Sequence, residues 1–336
     1  MGSFRTIANA LSRLGPCRFA SEAAKRGVNS ALAALYTRLF GARYYKKRVH
    51  DYLLWLDLRD PGVSKQLMIR GSREPEHRYL LRRELKAGMT ALDLGANIGY
   101  YTVMMAKFVG MQGKVYAVEP YPPSFDLLNR NLRLNGLANI IESYNLGVTA
   151  ATGSGKLYLA EKSNWHTFYP VDVADKPAWA KKYARKFFSP IDVKAMSLWD
   201  FIQGKRQIDL IRMDIEGYEV QIFESLIPYV GHSDFKASIL FETHPEFYDD
   251  RAHDMQRVLQ ALYRSAGYAV KYVVSDGHLG RQAGEFFRRR GYTERYIVTY
   301  LPSCDRAIYR YIPTEDAIEC ISHSEHVHAA LLERQA

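Results

Sequence analysis

The segment Leu92–Asp93–Leu94–Gly95–Ala96–Asn97–Ile98–Gly99–Tyr100–Tyr101–Thr102 constrains this chain more than any other. It closes a short apolar run that begins at Thr90 and opens a stretch, Ile98–Phe108, with helical spacing; a second apolar run, Lys114–Glu119, follows. Strand, glycine turn, helix, strand is the pattern of a parallel βαβ unit. Glycine at 95 and 99 permits a tight turn and lets the backbone approach a ligand that a Cβ would block. The helix start beyond the turn offers free N–H groups to a carboxylate or phosphate.

A dinucleotide fingerprint is excluded, because Asn97 stands where G-x-G-x-x-G requires its second glycine. The spacing Asp-x-Gly-x-x-x-Gly suits a nucleoside joined to an amino acid. Such a zwitterionic tail needs amide donors and also an acceptor for its ammonium, which Asp93 can supply directly or through water. Glu119 ends the next strand and precedes Pro120. A carboxylate there can accept both ribose hydroxyl protons, and hydrogen bonds to a charged acceptor contribute about 1.5–3 kcal/mol net.

The alternation continues with a helix over Ser124–Asn135, strands at Ile140–Leu146, Ile208–Met213 and Ala237–Glu242, a helix over Met255–Ala266, and strands at Ala269–Val274 and Tyr296–Tyr300. The fold class predicted is α/β: a Rossmann-like, doubly wound sheet of about seven strands with an antiparallel end, in three α/β/α layers. The division expected is a basic amphipathic helical arm over 1–50, a helical or irregular lead-in over 51–88, the main domain over 89–303, and a solvated C-terminal tail over 304–336. An aromatic, Lys-rich insertion over 163–190, with Trp165, Phe168, Tyr169, Trp179, Phe187 and Phe188, reads as a lid or substrate loop.

Charge is uneven. Residues 1–50 hold ten Lys or Arg against the single acid Glu22, and so supply nine of the ten net positive charges. Apolar residues at roughly helical spacing in this arm fit either packing on its own domain or peripheral contact with an anionic membrane face. Cys17, Cys304 and Cys320 show no CxxC spacing, which argues against a disulfide framework and a thiolate zinc site and for a reducing, cytoplasmic setting. His323, His326 and His328 resemble a metal cluster by composition alone, and no metal site is expected.

With these residues in view, the chain resembles the FkbM-type methyltransferases, a class I S-adenosylmethionine-dependent family. The resemblance rests on Lys86–Thr102, on Gly113–Pro120, on Asn131 and Asn135, on Ile208–Glu219 with its Asp214–Ile215–Glu216–Gly217 block, and on Ile239–Pro245. It implies a seven-stranded Rossmann-like fold and methyl transfer to a hydroxyl of a sugar, glycan, lipid-linked or secondary-metabolite acceptor. Asp93, Gly95, Asn97, Gly99 and Glu119 would contact the cofactor by position, and Ala96, Tyr101, Thr102, Pro120 and Asp214 complete the expected set. The end of the third strand, Tyr144–Asn145–Leu146–Gly147, lacks an acid to meet the adenine amine.

Methyl transfer is an in-line displacement that requires the acceptor to be held in place and its proton removed. Asp214 and Glu216 follow the fourth strand, while Glu242 and His244 end the next, on the sheet edge where open α/β folds bind ligands. These four are the catalytic candidates: Asp214 or His244 as general base, Glu216 to orient the acceptor or the base. The pair Asp214 and Glu216 would equally suit the first turn of a following helix. A nucleic-acid methyltransferase is the rival enzyme, encouraged by the charge; but no Asn/Asp-Pro-Pro-aromatic run follows the fourth strand, and the basic residues sit in the arm. A non-catalytic cofactor-binding scaffold is the rival from another class.

Overall fold

The computed structural model describes residues 41–169, 187–231, 234–249, 251–277, 281–301 and 304–335. Most of the arm (1–40) and the middle of the insertion (170–186) lie outside the described residues. In chain order, the hairpin β1 (Tyr44–Val49) and β2 (Tyr52–Asp57) comes first, then helices α1 (Val63–Arg70) and α2 (Pro75–Glu84). The βαβ unit follows as β3 (Thr90–Leu94), α3 (Tyr100–Val109) and β4 (Lys114–Val118), continued by α4 (Pro122–Leu134) and β5 (Ile141–Tyr144). Next come the short strands β6 (Gly147–Thr149), β7 (Gly153–Leu157) and β8 (Ile191–Ser197), helix α5 (Leu198–Ile202), β9 (Leu210–Met213), α6 (Glu219–Val230) and β10 (Ser238–Glu242). The chain ends with α7 (Met255–Ala266), β11 (Tyr268–Ser275), α8 (Arg281–Arg289), β12 (Glu294–Leu301), β13 (Cys304–Arg310), α9 (Thr314–His323) and β14 (Val327–Arg334).

The central sheet runs β12-β13-β11-β14-β10-β9-β3-β4-β5. From β10 to β5 all pairings are parallel, and from β10 to β12 all are antiparallel. The α/β class and the antiparallel end agree with expectation. The count does not: nine strands stand where about seven were predicted, because β13 lies between β12 and β11 and β14 enters the middle of the sheet, neither of them read from the sequence.

Alternation on the parallel strands sorts side chains into two cores. Leu92, Leu94, Ile211, Met213, Ile239 and Phe241 pack with residues of α6, α7 and α9 such as Phe223, Leu259 and Ile318. Ala91, Leu210 and Leu240 face the opposite core, with residues of α2, α3 and α4 such as Leu80, Met104 and Leu128. The three expected layers follow from this period-2 sorting of buried strands.

Three regional expectations need correction. Residues 44–49 are strand, paired with β2, where a helical arm was expected. The lead-in contributes that second strand before its two helices. Residues 304–335 are no solvated tail, since β14 lies between β10 and β11 with Val327–Leu332 buried throughout. Burial on both faces removes the polar alternation by which a strand is read, and His328 interrupts the apolar run.

Asn131 and Asn135, one turn apart on α4, tie the hairpin to the domain. Asn131 accepts from Trp55 N at 2.6 Å and donates to the carbonyls of Trp55 and Ile98. Asn135 accepts from Leu53 N at 3.1 Å and donates to Leu53 O at 2.7 Å. The two amides thus pair with the β2 edge as a neighbouring strand would, satisfying backbone groups that burial would leave unpaired. Among the described residues no helix is long and apolar enough to cross a membrane.

Candidate active site

After β5 the chain returns to the other side of β3, so β3 and its neighbours form a topological switch point with a crevice at their carboxyl ends. A cleft lies there. Its walls come from the β3–α3 loop (Gly95, Ala96, Asn97), the β4 end (Val118, Glu119, Pro120), the β9 end (Asp214, Ile215, Glu216) and β6 (Gly147, Val148). Arg73, Tyr100, Tyr101 and Arg212 add a polar and aromatic side, and Ser163, Asn164, His166 and Phe168 bring the start of the insertion to the rim.

Gly95 has φ +78°, and a Cβ there would sit 2.0 Å from the backbone oxygen of Asp214. Glycine is therefore required for the β3 and β9 loops to close on each other. Gly95 N and Ala96 N both donate to Val118 O, which binds the third loop to them. Gly99 lets α3 start against α4, where a Cβ would meet Leu128 at 2.6 Å. Asn97 adopts φ +50° without being glycine. Its side chain compensates by accepting from Ile98 N at 2.9 Å and donating to Ser163 O at 3.1 Å, and its N–H donates to Glu119 Oε2 at 2.8 Å.

Glu119 Oε1 also accepts from Tyr121 N at 2.9 Å. Burial pushes this carboxyl up to about 7 despite both backbone donors. Asn145, where an acid was missed, donates to the carbonyls of Glu119 and Pro120 and so fixes the turn.

Asp93 and Thr102, expected at the cofactor, are fully buried and absent from the cleft wall. Thr102 Oγ1 donates to Asp93 Oδ2 at 2.6 Å, and Arg212 Nη1 reaches Asp93 Oδ1 at 3.4 Å. Sequence reasoning missed Arg212, although an arginine within the apolar run 208–213 was the available signal. Only 2% exposed, its guanidinium also donates to Asp214 Oδ2 at 2.7 Å and lies 4.1 Å from the centre of the Tyr101 ring. Asp214 is thereby held by one oxygen, while Oδ1 has no hydrogen-bond partner among the described residues. Burial raises its pKa above the ordinary carboxylate value, with Arg212 opposing.

Glu216 lines the cleft in a left-handed conformation, φ +54°. His244 joins it: Nε2 lies 3.3 Å from Glu216 Oε2 and Nδ1 lies 3.0 Å from Glu219 Oε1. Gly217 makes room for the Phe247 ring beneath this pair, where a Cβ would approach within 2.4 Å. Burial alone would lower the His244 pKa, yet Glu219 and Glu216 hold it well above its ordinary value. Such an imidazolium keeps its proton, so the geometry does not suit His244 as general base. Asp214, Glu216 and His244 offer ligand atoms within 4.8 Å of one another, but both His244 nitrogens already face carboxylates.

Glu242 is not brought to the cleft wall; its Oε1 lies 3.6 Å from His328 Nδ1. Two further residues were missed. Arg73 is 5% exposed at the cleft, ion-paired with Glu74 at 2.7 Å, and its Nη1 has no hydrogen-bond partner among the described residues. Glu74, at φ +41°, accepts from Tyr101 Oη at 2.6 Å.

The Methyltransferase FkbM domain family matches residues 93–270, slightly more than half of the chain. "Methyltransferase sdnD" of Sordaria araneosa is 28% identical over 154 residues, covering 40% of this chain and 59% of that protein. "Methyltransferase 1" of Beauveria bassiana is 26% identical over 149 residues, covering 40% and 57%. The chain thus spans less than two thirds of the length of these curated relatives. A solved FkbM methyltransferase from Methylobacillus flagellatus KT superposes over 75% of this chain and 56% of its own, at 13% identity and TM-score 0.38. With the family matched over more than half its length, including the glycine loop, Glu119 and the Asp214–Gly217 block, the chain belongs to the FkbM methyltransferase family.

Proposed function

We propose that this chain transfers the methyl group of S-adenosylmethionine to a hydroxyl of a sugar, glycan, lipid-linked or secondary-metabolite acceptor. The observation that carries the reading is Asp214, a residue of the cleft lining between the glycine loop and Glu216: one oxygen is anchored by a buried arginine, and the other, also buried, has no hydrogen-bond partner among the described residues. A carboxylate held in this way, its pKa raised by burial above the ordinary value, suits general-base removal of a hydroxyl proton.

The residues fit the cofactor. Glu119 spends one lone pair of each oxygen on a backbone N–H and keeps others for the ribose hydroxyls. Gly147 and Val148 give the base an apolar slot, with no side-chain acid for its amine. The bound cofactor supplies an activated methyl on a sulfonium. Arg212 fixes the base in line, and His244 braces Glu216 to orient the acceptor. His166, Phe168 and Asn164 at the rim combine ring faces with a polar group, a surface that suits a sugar.

The test is methyl transfer from labelled S-adenosylmethionine to a panel of hydroxyl-bearing glycans and metabolites, by the wild type and by Asp214→Asn. Turnover that falls about 10²–10⁴-fold in the variant, with cofactor affinity kept within a few-fold, supports the base assignment. Equal turnover in both proteins overturns it.

A further inference from the structure

Behind the wall that carries Arg73 and Tyr101 lies a second polar cluster that methyl transfer does not use. Glu76 and His77 stand in the first turn of α2, and His328 stands on β14. Glu76 and His77 are 0% exposed and His328 is 7% exposed. Both ring nitrogens of His77, Nε2 of His328 and Oε2 of Glu76 have no hydrogen-bond partner among the described residues. His328 Nε2 approaches Glu76 Oε1 to 3.4 Å without hydrogen-bond geometry. Leaving one such atom buried and unsatisfied costs about 1–3 kcal/mol, so a cluster in which each of the three residues has at least one calls for a partner.

We propose that Glu76, His77 and His328 bind one divalent transition-metal ion of the zinc class. The three residues each offer a ligand atom, all within 4.8 Å of one another. Zinc bonds of about 2.0–2.2 Å place tetrahedral ligands roughly 3.4 Å apart, a contraction that side-chain rotation can supply. Two imidazoles and one carboxylate favour zinc, or iron or cobalt, over the oxygen-seeking magnesium and calcium.

The surroundings are consistent with this. Arg306 donates to Glu76 Oε1, leaving Oε2 for the ion and orienting the carboxylate as an outer-shell partner would. Glu242 Oε1 lies 3.6 Å from His328 Nδ1, beyond hydrogen-bond distance. Charges of both signs act on His77: Glu74 and Glu76 favour a cation there, and Arg212 opposes it. The His77 ring lies 5.7 Å from those of both His328 and Tyr101. An ion here would pin α2 to β14 and hold the Arg73–Glu74 wall against the cleft, a positioning role independent of the methyl-transfer reading.

The test loads the full-length chain with zinc, dialyses it, measures its metal content, and records its melting temperature with zinc and after chelation. About one zinc per chain is expected, with a melting temperature lowered by several degrees after chelation. His77→Leu and His328→Leu should each lower metal affinity at least roughly tenfold and abolish the zinc-dependent shift, whereas the surface change His323→Ala should alter neither. Less than about a tenth of an equivalent of zinc in folded wild type, with the same melting temperature under both conditions, would overturn the proposal. His77→Leu more stable than zinc-loaded wild type would also overturn it, since removing unsatisfied nitrogens from a metal-free or water-filled site is what stabilises.

Discussion

Glu119 couples burial to recognition. Its carboxyl titrates near 7, so the ligand-free chain keeps a proton on it at lower pH, whereas ribose hydroxyls need the ionised form as acceptor. Cofactor affinity is therefore expected to fall as pH drops below about 7, by up to about tenfold per unit, as calorimetry from pH 5.5 to 8.5 will register. The linkage to stability has the opposite sense. Because the folded pKa lies above the ordinary 4.5, this group's contribution is present below that value and lost as pH rises through about 7. Gly95 tests the loop: alanine there combines φ +78° with a Cβ 2.0 Å from the Asp214 oxygen. Urea unfolding should show a loss of at least about 2 kcal/mol. At this scale the sequence is informative where chemistry is local. Gly95, Gly99 and Glu119 reveal themselves by spacing, whereas the burial of Asp93 against Arg212 depends on the pairing of β3 with β9, which no spacing encodes.

At the scale of elements, β14 joins the two halves of the central sheet, and the hairpin is tied to α4. Both β10 and β11 pair with β14, so its loss would leave two buried edges unpaired. Leu331, fully buried on it, should cost about 2–5 kcal/mol when replaced by alanine, read from denaturant midpoints. Asn131→Ala would strand the Trp55 N–H and carbonyl and cost roughly 1–3 kcal/mol by the same measurement. The elements β3, α3, β4 and α7 were legible because β3 and β4 are short apolar runs bordered by glycine, and α3 and α7 combine helical spacing with a glycine or Asp254 at an end. Strand β14 was not, because His328 breaks its apolar run and no glycine borders it. Likewise β1 was hidden by lysines and tyrosines whose alternation mimics a basic helix end.

Over the whole molecule, the parallel half of the sheet carries the glycine loop, Glu119 and Asp214, while the antiparallel half backs the wall formed by Arg73, Glu74 and Tyr101. The cleft lies where these meet at the switch point, and three residues in left-handed backbone, Glu74, Asn97 and Glu216, stand around it. Such strain persists only where surrounding contacts impose it, and it concentrates at functional sites. The central claim is that this cleft is built for S-adenosylmethionine. Calorimetric titration of that cofactor into the folded wild type, beside Glu119→Ala and Asp214→Asn, tests it most directly. Roughly micromolar binding is expected, about 10- to 100-fold weaker in Glu119→Ala and little changed in Asp214→Asn. A folded wild type that takes up no S-adenosylmethionine would contradict it.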